Sequence, residues 1–180
     1  MARIPYFNSE DASDSIKEAL KGRRQINIFK LIGQSDNAAA EVFNLGHKMS
    51  KGSSLDPVLR EIVILRVAAL TEAKYQAHEH HAVALRNGLS ERKIEAVAKF
   101  PLGDERDELS QFEEQLIGFV DAVVGTSTAP DRLFEPMYEH FGDSQIVELV
   151  LIIGFYMMVG RVMNTFQVEL ETGAVPTFDY

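Results

Sequence analysis

The sequence predicts an all-α fold in one domain, and three features carry that expectation. Apolar residues recur three and four positions apart through most of the chain, not at every second position. No Asn-Gly or Asp-Gly turn separates two alternating apolar runs, so the signature of a β-hairpin is missing. Helix start and stop signals, by contrast, are frequent, from Ser13 near the beginning to Asp143 ahead of the last apolar run. At 180 residues with 46% hydrophobic side chains, the chain is long enough to bury one core of its own.

Taken in order, Asp11 or Ser13 can open a short helix reaching about residue 21, and 26–32 forms a further apolar turn or two before Gly33. Asp36 can cap a helix over 36–49, stopped at Lys51-Gly52. Asp56 places a capping carboxylate just ahead of Pro57, whose missing N–H matters least in the first helical position; this helix runs over 57–70. After a break at Thr71-Glu72, a second helix covers 73–87 and stops at Gly88. Further helices are expected over 90–100, about 108–124 and 130–141, followed by a long one over 143–171. Residues 100–104 and 126–129 read as linkers within the domain, and 172–180 as a loosely held tail. The run 146–163 contains Glu148 and Arg161 and falls short of about 20 clean apolar residues, so it reads as a buried helix and not a membrane span.

Composition excludes several classes of function. The net charge of −9 repels phosphate backbones and anionic membranes, so neither nucleic acid nor a membrane is expected as a partner. The chain has no cysteine, which removes disulfides, cysteine zinc sites and thiolate chemistry and fits a reducing cytoplasm. No apolar run near the N-terminus has the length of a signal peptide.

The short break at Thr71-Glu72 makes an antiparallel hairpin the simplest arrangement of the two helices around it. Glu61 and His80 each lie about nine residues from that break, roughly 14 Å along their helices, and so stand at the same height. Ala73, Ala77, His80 and Ala84 follow i, i+4, i+7, i+11 spacing, a stripe of small residues that permits close approach and leaves His80 as its one polar member. A carboxylate bonded to one imidazole nitrogen fixes the tautomer and leaves the other nitrogen to take or give a proton near neutral pH. His80 and Glu61 therefore read either as a general acid–base pair or as a satisfied core histidine that orients the hairpin.

Other polar residues divide in the same way. His78 and His81 are i, i+3 neighbours that could offer two metal ligands, but no third ligand is evident, and a solvated or intersubunit face fits them as well. His47 and His140 lie in amphipathic helices as surface or interface residues. Arg66 sits in a helix that is apolar almost all round, so its charge must be paired, either by an acid of a neighbouring helix or by the carboxylate of an acidic substrate. Arg161 poses the same question.

The motif Arg-Glu-Ile-Val-Ile-Leu-Arg-Val-Ala at 60–68, followed by Tyr75, His80, Ala84 and Gly88-Leu89-Ser90, resembles the carboxymuconolactone decarboxylase and alkylhydroperoxidase D-like (AhpD-like) superfamily. That resemblance is specific over some 30 residues; a family core over about 40–125 and a single domain over 1–180 follow from it. It implies an AhpD-like helical bundle around a central antiparallel hairpin, assembled as trimers or hexamers. In the peroxidase branch the reactive positions are a glutamate, two cysteines and a histidine, which fall here on Glu61, Ala73, Gln76 and His80, so a cysteine peroxidase turnover is excluded. The decarboxylase branch keeps the Glu and His positions, and many of its members carry tryptophan where Ala77 stands.

The resulting expectation is an enzyme without a cofactor that acts on a small acidic or oxygenated metabolite by decarboxylation, isomerisation or lactone ring opening. His80 would be its acid or base, Glu61 the orienter and Tyr75 a donor to a developing oxyanion, with Arg66, Gln76 and Ala77 beside the substrate. The alternative is a non-catalytic oligomeric binding or structural protein on the same fold.

Overall fold

A computed structural model describes residues 2–171, and every regular element among them is helical. In chain order these are α1 (Asp14–Leu20), α2 (Asn27–Ile32), α3 (Ala39–Ser50), α4 (Pro57–Leu70), α5 (Lys74–Arg86), α6 (Glu91–Lys99), α7 (Gln111–Thr126) and α8 (Asp131–Phe166), with short 3₁₀ turns at Ser9–Asp11 and Asp104–Glu108. They form one helical domain built around α4, whose residues from Arg60 to Ala68 are all buried. The helix has that position because it is apolar on every side, and α5, α6, α7 and α8 each take one of those sides. Its start is set by Asp56, whose carboxylate accepts from the N–H groups of Val58 at 2.8 Å and Leu59 at 3.1 Å.

The hairpin of α4 and α5 forms as the spacing predicts. The pairs Ala68 with Ala73 and Glu61 with His80 lie opposite each other, and Gln76 Nε2 donates to Ile64 O at 3.2 Å. Ala68, Ala73 and Ala77 make a small buried cluster of their own, so the alanine stripe serves close helix approach. Glu72, between the helices, takes the left-handed conformation with φ 51°.

Three boundaries differ from expectation, each for a local reason. The turn 35–38 precedes α3, with Ser35 O accepting from the N–H groups of Ala38 and Ala39; Asp36 is exposed and caps nothing. Helix α7 begins at Gln111 and not near 108, because Ser110 and Glu113 close a capping box: Ser110 N–H donates to Glu113 Oε2 at 2.7 Å and Glu113 N–H to Ser110 Oγ at 3.3 Å. Burial alone would push the Glu113 carboxyl up, but Lys93 at 2.9 Å and the Ser110 donors hold it below the ordinary carboxylate range.

The last helix is kinked at Gly142, where φ 63° and ψ −176° are non-helical and demand glycine, so 131–141 and 143–166 behave as the two helices foreseen. It stops at Phe166 and not at 171: Gln167 adopts φ 53° and Val168 N–H reaches back to Met163 O, a Schellman-type stop. The Val168–Glu171 stretch, expected as helix, is therefore non-helical chain that folds back along α2, with Asn27 N–H donating to Glu171 Oε1 at 2.8 Å. The expected tail, 172–180, lies outside the described residues. Helix α8 has the length and hydropathy of a membrane span, yet Leu149, Ile152, Ile153 and Tyr156 bury one side of it in the core.

Candidate active site

Glu61 and His80 meet as the hairpin register requires. Glu61 Oε2 and His80 Nδ1 are 2.8 Å apart, and Glu61 is 2% exposed. With a carboxylate at Nδ1, that nitrogen carries the hydrogen and Nε2 keeps its lone pair. Nε2 has no hydrogen-bond partner among the described residues, and the His80 side chain is 17% exposed, so the free nitrogen can be reached from outside. A buried carboxylate that orients an accessible imidazole is the arrangement acid–base chemistry needs.

Two residues complete the surroundings, and neither stood out as a site residue in the sequence. The Tyr156 ring of α8 packs edge-on against His80, with centroids 5.0 Å apart at 88°. Burial and then the Glu61 carboxylate push the Tyr156 phenol well above its ordinary value, so it stays neutral and remains a donor. Arg60 lies on the other flank, with Nε 3.6 Å from Glu61 Oε1. Tyr156 could be read in the sequence only as one of four successive apolar residues on a core helix, because the height of α8 against α5 depends on the intervening chain. Arg60 carried the signal of a charge beside Glu61 in a buried helix, the same signal that drew attention to Arg66.

The other nominated residues go elsewhere. Tyr75 is five positions before His80, about 140° around the helix, and points to the opposite side. Its hydroxyl donates to Glu171 Oε1 at 2.6 Å, and its ring packs with Ile28, Val159 and Met163. Burial first, then the Glu171 bond, raises its phenol far above the ordinary range. It lines an open groove of about 350 Å³ formed with residues such as Thr71, Met163 and Asn164, a groove that includes neither Glu61 nor His80. A Tyr75→Phe change is accordingly expected to lower stability by about 1–2 kcal/mol, as for a lost hydrogen bond to a charged group, while leaving any turnover at His80 unchanged. Urea unfolding beside a kinetic assay checks both halves.

Arg66 is not placed to hold a substrate. Nε and Nη2 donate to Asp121 Oδ1 and Oδ2 at 2.6 and 2.8 Å, and Nη1 donates to Val97 O and Ala98 O, both at 3.1 Å. The neighbouring-helix reading of this charge is the one the geometry supports. Gln76 and Ala77 are both sealed in the hairpin; Gln76 Oε1 is a buried acceptor without a partner, close enough to Gly160 that a Cβ added there would lie 3.5 Å from it. Arg161 is exposed, its Nη1 bonded to Met157 O. His81 Nε2 lies 2.6 Å from Glu91 Oε2, and no group of three or more His, Asp or Glu side chains able to hold a metal occurs among the described residues.

Comparison with known proteins agrees with this architecture. Residues 37–102, which contain α4, α5 and α6, match the carboxymuconolactone decarboxylase family. The uncharacterized protein YdfG of Bacillus subtilis is 27% identical over 108 residues, which cover 59% of this chain and 71% of that one. An uncharacterized peroxidase-related protein from Ralstonia eutropha, described as an alkylhydroperoxidase AhpD core, superposes with a TM-score of 0.80 at 18% identity over 98% of both chains. The debrominase Bmp8, solved as a cysteine-to-alanine variant with 2,3,4-tribromopyrrole, gives a TM-score of 0.73 at 14% identity, covering 96% of this chain and 95% of that one. The chain thus has the AhpD-like helical fold, shared over nearly its whole length. More narrowly, its residues 37–102 are similar to the carboxymuconolactone decarboxylase family.

Proposed function

We propose that this protein is an enzyme that moves a proton on a small acidic or oxygenated metabolite, with His80 Nε2 as the acid or base and Glu61 as its orienter. The observation that carries this reading is the 2.8 Å bond between a buried carboxylate and an imidazole whose second nitrogen is accessible. Decarboxylation, isomerisation next to a carbonyl and lactone ring opening all need one proton taken or given while negative charge grows on an oxygen. The neutral phenol of Tyr156, against the His80 ring, takes over the donor role the sequence had suggested for Tyr75. Thiol chemistry has no place in the mechanism, because the chain has no cysteine.

Assembly as a trimer or hexamer in the cytoplasm belongs to the same reading. Val147, Leu151, Gly154 and Met158 form an exposed apolar stripe at i, i+4, i+7, i+11 spacing on α8, the type of surface that a second copy covers.

The test is a screen of small lactones, keto acids and unsaturated acids against the wild type and a His80→Gln variant, with product formation followed by mass spectrometry. Conversion by the wild type that falls by about 10²–10⁴-fold in the variant is the expected result. Conversion that survives His80→Gln removes the assignment and leaves the alternative, a binding or structural protein on this fold.

A further inference from the structure

We propose that Arg60 is the anchor for a ligand monocarboxylate beside His80. Arg60 is only 9% exposed, yet none of its N–H groups makes a hydrogen bond among the described residues. Its Nε is enclosed and makes no hydrogen bond, and its ion-pair contact with Glu61 Oε1, at 3.6 Å, is beyond hydrogen-bonding distance. A guanidinium carries five donors, and buried donors are almost always satisfied. Arg66, six residues along the same helix, shows how this fold treats a buried arginine whose role is purely structural, since it is bonded to one carboxylate and two carbonyls.

The acids near Arg60 are already engaged. Glu61 Oε2 is bonded to His80, and Glu148 accepts from the backbone N–H of Ser54 at 3.0 Å as well as from the Ser54 hydroxyl. Arg60 acts electrostatically on both the Glu148 carboxyl and the Tyr156 phenol, and the Tyr156 ring also packs against His80, so the guanidinium, Tyr156 and the Glu61–His80 pair share one neighbourhood. What remains is a guanidinium with no hydrogen-bonded acceptor, beside the carboxylate that orients His80.

The chemistry of the guanidinium fixes the class of ligand. Arginine only donates, and its planar edge matches two coplanar oxygens, which a carboxylate supplies. Glu61 and Glu148 already place negative charge around the guanidinium, so a ligand carrying one carboxylate is repelled less there than a dianion. This inference rests on the acid–base reading for the position of the substrate and narrows that substrate to a monocarboxylic acid.

The experiment titrates the full chain with benzoate and with acetate, using sulfate and sodium chloride at matched ionic strength as references. Thermal midpoint and amide chemical shifts are followed together. Expected are a saturable rise in midpoint with the monocarboxylates alone and shifts centred on Arg60, Glu61, Tyr156 and His80. Arg60→Gln and Arg60→Lys should each weaken the response by about tenfold or more. Equal responses to sulfate and benzoate, shifts centred elsewhere, or undiminished binding in a folded Arg60 variant would each overturn the proposal. The wild-type shift map decides the matter even if both Arg60 variants unfold. Carboxylate binding at Arg60 with no turnover in the substrate screen would sink the acid–base reading and leave this site standing; turnover that needs His80 but is indifferent to Arg60 would do the reverse.

Discussion

Replacing Glu61 with glutamine in a His80→Gln background is expected to cost no further turnover, although either change alone lowers kcat by about 10²–10⁴-fold. The expectation comes from the tautomer. Glu61 Oε2 lies 2.8 Å from His80 Nδ1, and a carboxylate there can only accept, so in the neutral ring the lone pair is on Nε2. A glutamine at 61 can turn its amide to donate to Nδ1, which moves the hydrogen to Nε2 and removes the base without removing the imidazole. The carboxylate thus works only through the histidine, and once the histidine is gone there is nothing left for it to orient. Single-turnover rates for the two single variants and the double variant test this, with circular dichroism confirming that each is folded. Additive losses would show that Glu61 touches the substrate itself.

The hairpin was legible in the sequence because every constraint on it is local. A proline-initiated helix, a two-residue break and a stripe of alanines fix the register within 30 residues, and Glu61 and His80 then meet by position alone. Boundaries failed where two local signals compete: Asp36 and Ser110 are both of residue types that can cap a helix, but only Ser110 does so, with a glutamate three positions on to complete a box. At the end of α8, the apolar pattern runs on past Phe166 and gives no warning that Gln167 turns left-handed.

The site was only half legible, for a physical reason that its four residues show. Glu61 and His80 lie on adjacent helices joined by a tight turn, but Tyr156 reaches them from α8, and nothing in one sequence sets its height against α5. The two buried arginines of α4 are alike in pattern and opposite in fate. Arg66 meets Asp121, which is 55 residues away, while Arg60 meets no acceptor. Tyr75, nominated for its nearness to His80 in sequence, is turned away by the 100° step of the helix.

The pairing of Arg66 leads to the second large effect, an Asp121→Ala change that is expected to destabilise the fold by about 3 kcal/mol without altering any turnover. Arg66 is 4% exposed and donates both of its bidentate bonds to Asp121. Without that carboxylate the guanidinium keeps only the carbonyls of Val97 and Ala98 at the end of α6 and its contact with the Phe100 ring, 5.8 Å away. A charge left in the core with its counter-ion removed costs more than the pair itself contributes, because desolvation is no longer offset. Asp121 is itself about one-third exposed, which places the loss at the lower end of the range for buried pairs. An Arg66→Met change added to Asp121→Ala should therefore recover part of the lost stability, since it removes the uncompensated charge and keeps the apolar volume. Urea midpoints for the two single variants and the double variant measure the coupling. A double variant as unstable as the sum of the singles would show that the bridge between α4, α6 and α7 matters for packing and not for charge.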